Sequence, residues 1–185
     1  MSDPRHDLLH ALPQLVADQV LIALPALATC RGFAGRFDLA ALKRLSLKAP
    51  AVLVSRTGAR QAEVYSGPHA MFELDMVAFV VTKDAMGLPR DEAAASITSV
   101  LLRLIPEKTW GQIGVGAAQR VREQPLVTEA SETAQVSLWA VTWMQPVALA
   151  GYPLTNPQPI DLYVGQSPGV GAANVTDYDL IGGTP

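Results

Sequence analysis

The sequence predicts an α+β domain in which helices pack on a mainly antiparallel sheet, followed by an extended C-terminal arm. Residues 135–149 are apolar at both odd and even positions and rich in β-branched and aromatic side chains, which is typical of a strand covered on two faces. Residues 91–105 carry an apolar stripe at helical spacing. After Leu149, prolines and glycines replace any helical period. We therefore expect a domain at residues 1–149 and an arm at residues 150–185.

The predicted order of the main elements is α-β-β-α-β-β. A helix is expected over residues 4–24, kinked or restarted at Pro13, and a short additional helix over residues 38–45. Apolar runs predict strands at residues 50–55 and 71–82. A weaker strand is expected at residues 61–65, after a turn at Thr57 and Gly58.

The second half of the domain supplies a helix and a strand pair. The stripe of the helix consists of Ala94, Ile97, Val100, Leu101, Leu104 and Ile105. Residues 119–129 are predicted to pair antiparallel with 135–149, and Pro146 should end regular pairing or mark an edge, because it has no ladder donor. In strand 71–82, Glu73 and Asp75 share a face with Val77 and Phe79, so this face should be wet at its start and buried further on.

The amino-acid composition argues against several classes of protein. The chain of 185 residues is 49% hydrophobic and only 17% charged, and burial against copies of itself would explain such sparse charge. A net charge of −3 argues against general affinity for nucleic acid. The single cysteine, Cys30, rules out an internal disulfide framework. The first residues lack a signal-peptide pattern and the longest apolar run is about half a membrane span, so we expect a soluble, non-secreted protein with no membrane contact.

Three stretches resemble catalytic or ligand-binding motifs, but each lacks residues that the motif requires. His6 and His10 have the spacing of a helical zinc motif, but the only other histidine is His69. Surface or capping roles explain the pair better, and a His-dependent metalloenzyme is the less favoured alternative. Residues 165–169 read G-x-S-x-G, yet Pro168 removes the oxyanion donor and no histidine follows. The glycines at 114 and 116 fit turns better than a phosphate loop. We predict no catalytic residue, no metal and no cofactor.

Two sets of residues are candidates for contacts instead. Trp139 and Trp143 share one face of a strand, where they either anchor the core or meet another subunit, since tryptophan is enriched at interfaces. The arm is too apolar for a solvated linker. Its candidate interface residues are Leu162, Tyr163, Tyr178 and Leu180.

A positive cluster forms the second set. Its members are Lys43, Arg44, Lys48, Arg56 and Arg60. A solvated face is the default interpretation. The functional alternative is a salt-sensitive contact with an acidic partner or, without sequence specificity, with passing genomic DNA.

The layout resembles the tail-terminator family of Mu-like bacteriophages. The resemblance is carried by APAVLV at 49–54, LWAVTW at 138–143, and the tail from YVG at 163–165 through PGVG at 168–171 to Tyr178. It implies a small α/β domain similar to the minor tail protein U of lambda. Proteins of this family form a hexameric ring that caps the finished tail tube and presents it to the head. The long Pro/Gly-rich C-terminus departs from the smaller relatives.

The resemblance also implies a location and partners. It predicts a structural component of the virion tail and neck, assembled in the host cytoplasm, with further copies of itself, the tail tube protein and a head-completion or stopper protein as partners. A head-side neck adaptor or stopper is the alternative within the same class.

Overall fold

The computed structural model describes residues 8–33, 47–62, 69–84, 88–126 and 135–150, and the backbone of two short strands beyond them. The chain divides into two compact units, Met1–Ala150 and Gly151–Pro185. The elements of the first unit are α1 (Leu8–Ala23), β1 (Thr29–Gly32), β2 (Ala51–Gln61), β3 (His69–Lys83), α2 (Arg90–Leu104), β4 (Gln119–Pro125) and β5 (Val136–Ala150). Those of the second unit are β6 (Tyr163–Val164) and β7 (Asp179–Leu180), which pair antiparallel.

The first unit is built on a five-stranded sheet in the order β1-β2-β3-β5-β4. β1 runs parallel to β2, and the other three neighbouring pairs are antiparallel. This confirms the predicted α+β class with a mainly antiparallel sheet. β1 was not predicted from the sequence, and the predicted helix at 38–45 lies outside the described residues.

Both helices pack on one face of the sheet, which we call the helix face. Alternate side chains of the three central strands point to it, including Val54 of β2, Met76 of β3 and Trp143 of β5, all buried. Leu12 of α1 and Leu101 of α2 join the same core cluster and are fully buried. Because period-two strands and period-3.6 helices each supply one apolar face, their stacking forms a single core.

The stripe predicted for α2 is largely the one that is buried. The buried residues of this stretch are Ala94, Ile97, Thr98, Leu101 and Ile105. Val100 and Leu104 are half-buried. The buried Thr98 hydroxyl donates to the carbonyl oxygen of Ala95, so its polar group is satisfied within the helix.

The opposite face of the sheet, which we call the open face, changes character along β3. The side chains of Glu73 and Asp75 are 26% and 48% exposed. Further along the same face Val77, Phe79 and Val81 are buried. The predicted change from a wet to a buried face is confirmed.

Three details of the strands and of α1 differ from the prediction. Thr57 and Gly58 do not form a turn, because the register of β2 against β3 shifts between Arg56 and Gly58 and the strand continues through this bulge to Gln61. α1 does not restart at Pro13, which lies buried inside one continuous helix. β5 continues four residues beyond Pro146, to Ala150.

The position of Pro146 within β5 has a simple explanation. In an antiparallel ladder the N–H and C=O of one residue point to the same neighbouring strand. The Pro146 oxygen accepts a hydrogen bond from the N–H of Gly116 at 2.8 Å, on the side away from β3. β4 has already ended its pairing at Met144, so the missing N–H of the proline costs no ladder bond to β3.

Candidate functional site

A polar cleft of about 530 Å³ lies at the wet end of the open face. It is lined by Thr57, Arg60, Asp75, Met76, Arg120, Arg122, Thr142, Trp143 and Met144. These residues come from four strands, β2, β3, β5 and β4, which bring together positions more than 80 residues apart in sequence. The sheet therefore acts as a rigid platform for the cleft.

Arg60 occupies one side of the cleft and is held by two carboxylates of β3. Its Nε donates to Glu73 Oε2 at 2.7 Å, and one terminal nitrogen donates to Asp75 Oδ1 at 3.3 Å. The hydrogen bond to Glu73 and the charge of Asp75 raise the pKa of Arg60 above its ordinary value. The arginine side chain is 50% exposed, so the pairs add little to stability. Their effect is to fix the guanidinium and neutralise its charge.

Arg120 and Arg122 occupy the other side, on the edge strand β4. The register of β4 against β5 shifts between Gln119, which pairs with Met144, and Arg122, which pairs with Thr142. Arg120 lies in this irregularity with a φ of 55°, a conformation that side-chain-bearing residues rarely adopt. Bulges of this kind redirect side chains. Here both arginines line the same cleft.

The positive charge on this side of the cleft is not balanced within the described residues. Arg122 Nε donates to the Thr142 hydroxyl at 3.1 Å, which orients its guanidinium without neutralising it. Neither Arg120 nor Arg122 forms an ion pair in the described part of the chain, whereas Arg60 forms two. A guanidinium is always charged at neutral pH and offers paired donors to carboxylate or phosphate oxygens. The arrangement is suited to binding an anionic group.

The positive cluster predicted from sequence lies only partly within the described residues. Of its members, Lys43 and Arg44 lie outside the described residues. Lys48 is exposed before β2, and Arg56 is half-buried at the bulge of β2. Of its three described members, Arg60 alone lines the cleft. Arg120 and Arg122 were not singled out, although an Arg-x-Arg repeat in a predicted strand was a usable signal.

The two tryptophans proposed as interface residues differ in their surroundings. Trp143 is only 3% exposed, and its ring lies 6.4 Å from that of Trp110 at an angle of 49°. Trp139 is half-buried against the same core, with its Nε1 donating to the Ser137 hydroxyl at 3.2 Å. Both belong to the helix-face cluster of the first unit.

The arm candidates are described only through their backbone. Tyr163 and Leu180 are partners in the pairing of β6 with β7. Leu162 and Tyr178 lie outside the described residues. A role in an interface stays a prediction for all four.

A buried amide, not anticipated from the sequence, connects β5 to the loop after α2. Gln145 is fully buried, and its Oε1 accepts hydrogen bonds from Trp110 Nε1 at 2.8 Å and Trp143 Nε1 at 3.0 Å. Its Nε2 donates to the carbonyl oxygens of Lys108 and Gly116. All the hydrogen-bonding capacity of the amide is used. This residue fixes the loop between α2 and β4 against the sheet.

The histidine pair considered as a metal site lies only partly within the described residues. His10 is exposed on α1, and His6 lies outside the described residues. No group of three or more His, Cys, Asp and Glu side chains in the described ranges is placed to share a metal ion. None of the described helices is long and apolar enough to cross a membrane.

Comparisons with known proteins give a structural likeness but no sequence match. No protein-family model matches the chain, and no curated protein matches it. Among solved structures, a chain of the virion of a native gene transfer agent (GTA) particle is similar, with a TM-score of 0.42 and 18% identity. The likeness covers 75% of this chain and 91% of that one.

Proposed function

We propose that this protein is a structural component of a phage-like virion, and within it the tail terminator that closes the tail tube and joins it to the head. The supporting sequence segments are 49–54 and 138–143, on which the resemblance to the tail-terminator family rests. In the fold they contribute to β2 and β5, the strands on either side of β3 at the centre of the sheet. The resemblance therefore involves the part of the chain that determines the architecture.

The observation that carries the proposal is the edge of the sheet, where β4 has a neighbouring strand on one side only among the described residues. The open face has two apolar clusters, one around Leu53, Phe79 and Ala140 and one around Val81 and Leu138, and both are already buried within one chain. The surface that closing a ring would cover is therefore the strand edge. We take the working form to be a homohexamer in the tail and neck of the virion, with no catalytic residue and no cofactor.

In this proposal the domain at residues 1–149 forms the body of the ring subunit. The Pro/Gly-rich arm at residues 150–185 provides contacts with neighbours. Expected partners are other copies of the chain, the tail tube protein and a head-completion or stopper protein. Passing genomic DNA is a possible contact of the basic residues.

The test is assembly of purified full-length protein, observed by native mass spectrometry and negative-stain electron microscopy. We expect six-membered rings, and we expect them at one end of tail tubes assembled from the tube protein of the same particle. Binding to filled heads but not to tubes would favour the head-side adaptor or stopper. A monomer that binds neither would contradict a structural role. Stoichiometric zinc, lost when His6 and His10 are both changed to alanine, would support the metalloenzyme instead.

A further inference from the structure

The charge of this chain is distributed very unevenly between its two units. Of its 17 acidic residues, three lie in residues 151–185, namely Asp161, Asp177 and Asp179, and no lysine, arginine or histidine occurs there. The remaining 14 acidic residues balance the 14 lysines and arginines, all of which lie in residues 1–150. The whole net charge of −3 therefore belongs to the C-terminal unit.

The cleft on the open face carries unpaired positive charge, which is complementary to the negative charge of the C-terminal unit. Of its three arginines, Arg60 is paired with two carboxylates, Asp75 within the cleft and Glu73 beside it. Arg120 and Arg122 are left with positive charge that no described carboxylate neutralises. Arg122 is held in place by Thr142, and Arg120 is held by the bulge in a backbone conformation that is rare for its type. Strained residues of this kind occur disproportionately at functional sites.

The position of the cleft favours an extended protein segment as its occupant. β4 is the last strand of the sheet, so its outer edge presents backbone donors and acceptors to an added strand. Glu73 and Asp75 together carry one more charge than Arg60 neutralises, so this side of the cleft disfavours a continuous phosphate backbone. Asp177 and Asp179 are as close in sequence as Arg120 and Arg122, so one short segment carries two carboxylates for the two guanidinium groups.

We infer that the cleft formed by Arg120 and Arg122 is a docking site for the acidic C-terminal unit of a second copy of this chain. Opposite charges would steer the segment to the edge of β4, and paired guanidinium–carboxylate contacts would hold it there. The inference deepens the proposed ring by naming one contact between its subunits.

The test uses charge reversal in full-length chains, with self-association measured by sedimentation. R120E/R122E should weaken self-association at least tenfold, and D177K/D179K should do the same. The control R31E/K83E changes two exposed basic residues outside the cleft and should associate like the unchanged protein. Circular dichroism verifies that each variant is folded. Raising the salt concentration should weaken association of the unchanged protein more than that of R120E/R122E.

Mixing the two reversed variants is the decisive step. In the mixture, the negatively charged cleft of R120E/R122E can bind the positively charged C-terminal unit of D177K/D179K. The mixture should therefore regain the association that each variant alone has lost. If only a chain carrying all four changes recovers, the contact lies within one chain and the inference is wrong. Undiminished association of R120E/R122E, or a loss of DNA binding alone, would also overturn it. Rings that persist in R120E/R122E would contradict this contact but not the proposed function. Charge-dependent association without capping of tail tubes would contradict only the proposed function.

Discussion

At the scale of single residues, Gln145 is the position where substitution should cost the most hydrogen bonds. It accepts hydrogen bonds from two buried indole N–H groups and donates to two half-buried backbone carbonyls. An unpaired buried polar group costs about 1–3 kcal/mol, so the loss of the one side chain that serves both indole N–H groups is expensive.

We predict that Gln145→Met, which keeps the length of the side chain but removes its polar atoms, lowers the free energy of unfolding by about 2–5 kcal/mol. The measurement is denaturant unfolding followed by tryptophan fluorescence. Gln124→Met is the matched control, because Gln124 is exposed on β4, and it should change stability by less than about 0.5 kcal/mol. Equal effects of the two changes would mean that the amide network does not stabilise the loop.

The thiol of Cys30 gives a prediction about pH. Burial and, to a smaller extent, the Asp18 carboxylate raise the pKa of Cys30 from 9.0 to about 11, and its Sγ donates to the Ala17 carbonyl oxygen at 3.1 Å. Because the folded-state pKa is above the unfolded one, the stabilising contribution is fully present below pH 9 and is lost as pH rises through 11. Alkylation of the folded protein should therefore be half-maximal near pH 11, and Cys30→Ser should show a smaller fall in stability between pH 9 and 11. Half-maximal alkylation near pH 9 would contradict the burial of the thiol.

At the scale of elements, the sequence pattern predicted the long helices and strands that pack through many residues. It did not predict an element whose position depends on a single contact. β3, α2 and β5 have 15 residues each, so their apolar patterns were long enough to be recognised in the sequence. β1 has only four residues and no alternation. It is placed by a close approach, since a Cβ on Gly32 would lie 2.7 Å from the backbone nitrogen of Gln14 in α1. No local pattern encodes such a contact.

The cleft was missed for a related reason. Its residues come from four strands, and the two bulges that shape it change the register by one residue each. A one-residue change of register reverses which face every later side chain occupies. Arg60 was therefore grouped with its sequence neighbours of like charge, although in the fold it pairs with β3 and shares the cleft with Arg120 and Arg122.

Packing of α2 on the sheet is testable through Leu101, which is fully buried. Leu101→Ala should cost about 2–5 kcal/mol of unfolding free energy, since it removes buried methyl groups and leaves a cavity. Ser99→Ala, on the exposed side of the same helix, is the control and should stay within about 0.5 kcal/mol. A cost for Leu101→Ala no larger than that of the control would show that another face of α2 meets the sheet.

The bulge of β4 predicts an unusual order of stabilities. At position 120 the left-handed conformation penalises any residue with a Cβ, so Arg120→Gly should be more stable than Arg120→Ala by about 0.5–1 kcal/mol. At position 122, for which no such conformation is recorded, the order should reverse by about the same amount. Thermal unfolding of the four variants provides the measurement. The same order at both positions would mean that the bulge relaxes in solution.

At the scale of the whole molecule, the described parts of the two units differ in how much structure they provide for burying apolar side chains. The first unit encloses its own core between two helices and the sheet. The second has 35 residues, five of them prolines, and its described part is a single two-residue strand pair. Its candidate contact residues are each worth about 1.5–3 kcal/mol when fully covered. A neighbouring molecule could provide that cover.

A chain ending at Ala150 should therefore keep its fold and lose its assembly. The five-stranded sheet and both helices lie within residues 1–150, so circular dichroism and cooperative unfolding should be close to those of the full chain. Light scattering should show that rings no longer form, or that the next neck protein no longer binds, because proline-stiffened segments lose little entropy when they dock and contribute to association accordingly. Unfolding of the shortened chain would mean that the C-terminal unit belongs to the core. Normal assembly and partner binding would mean that it has no part in assembly, and the contact proposed for Arg120 and Arg122 would fail with it.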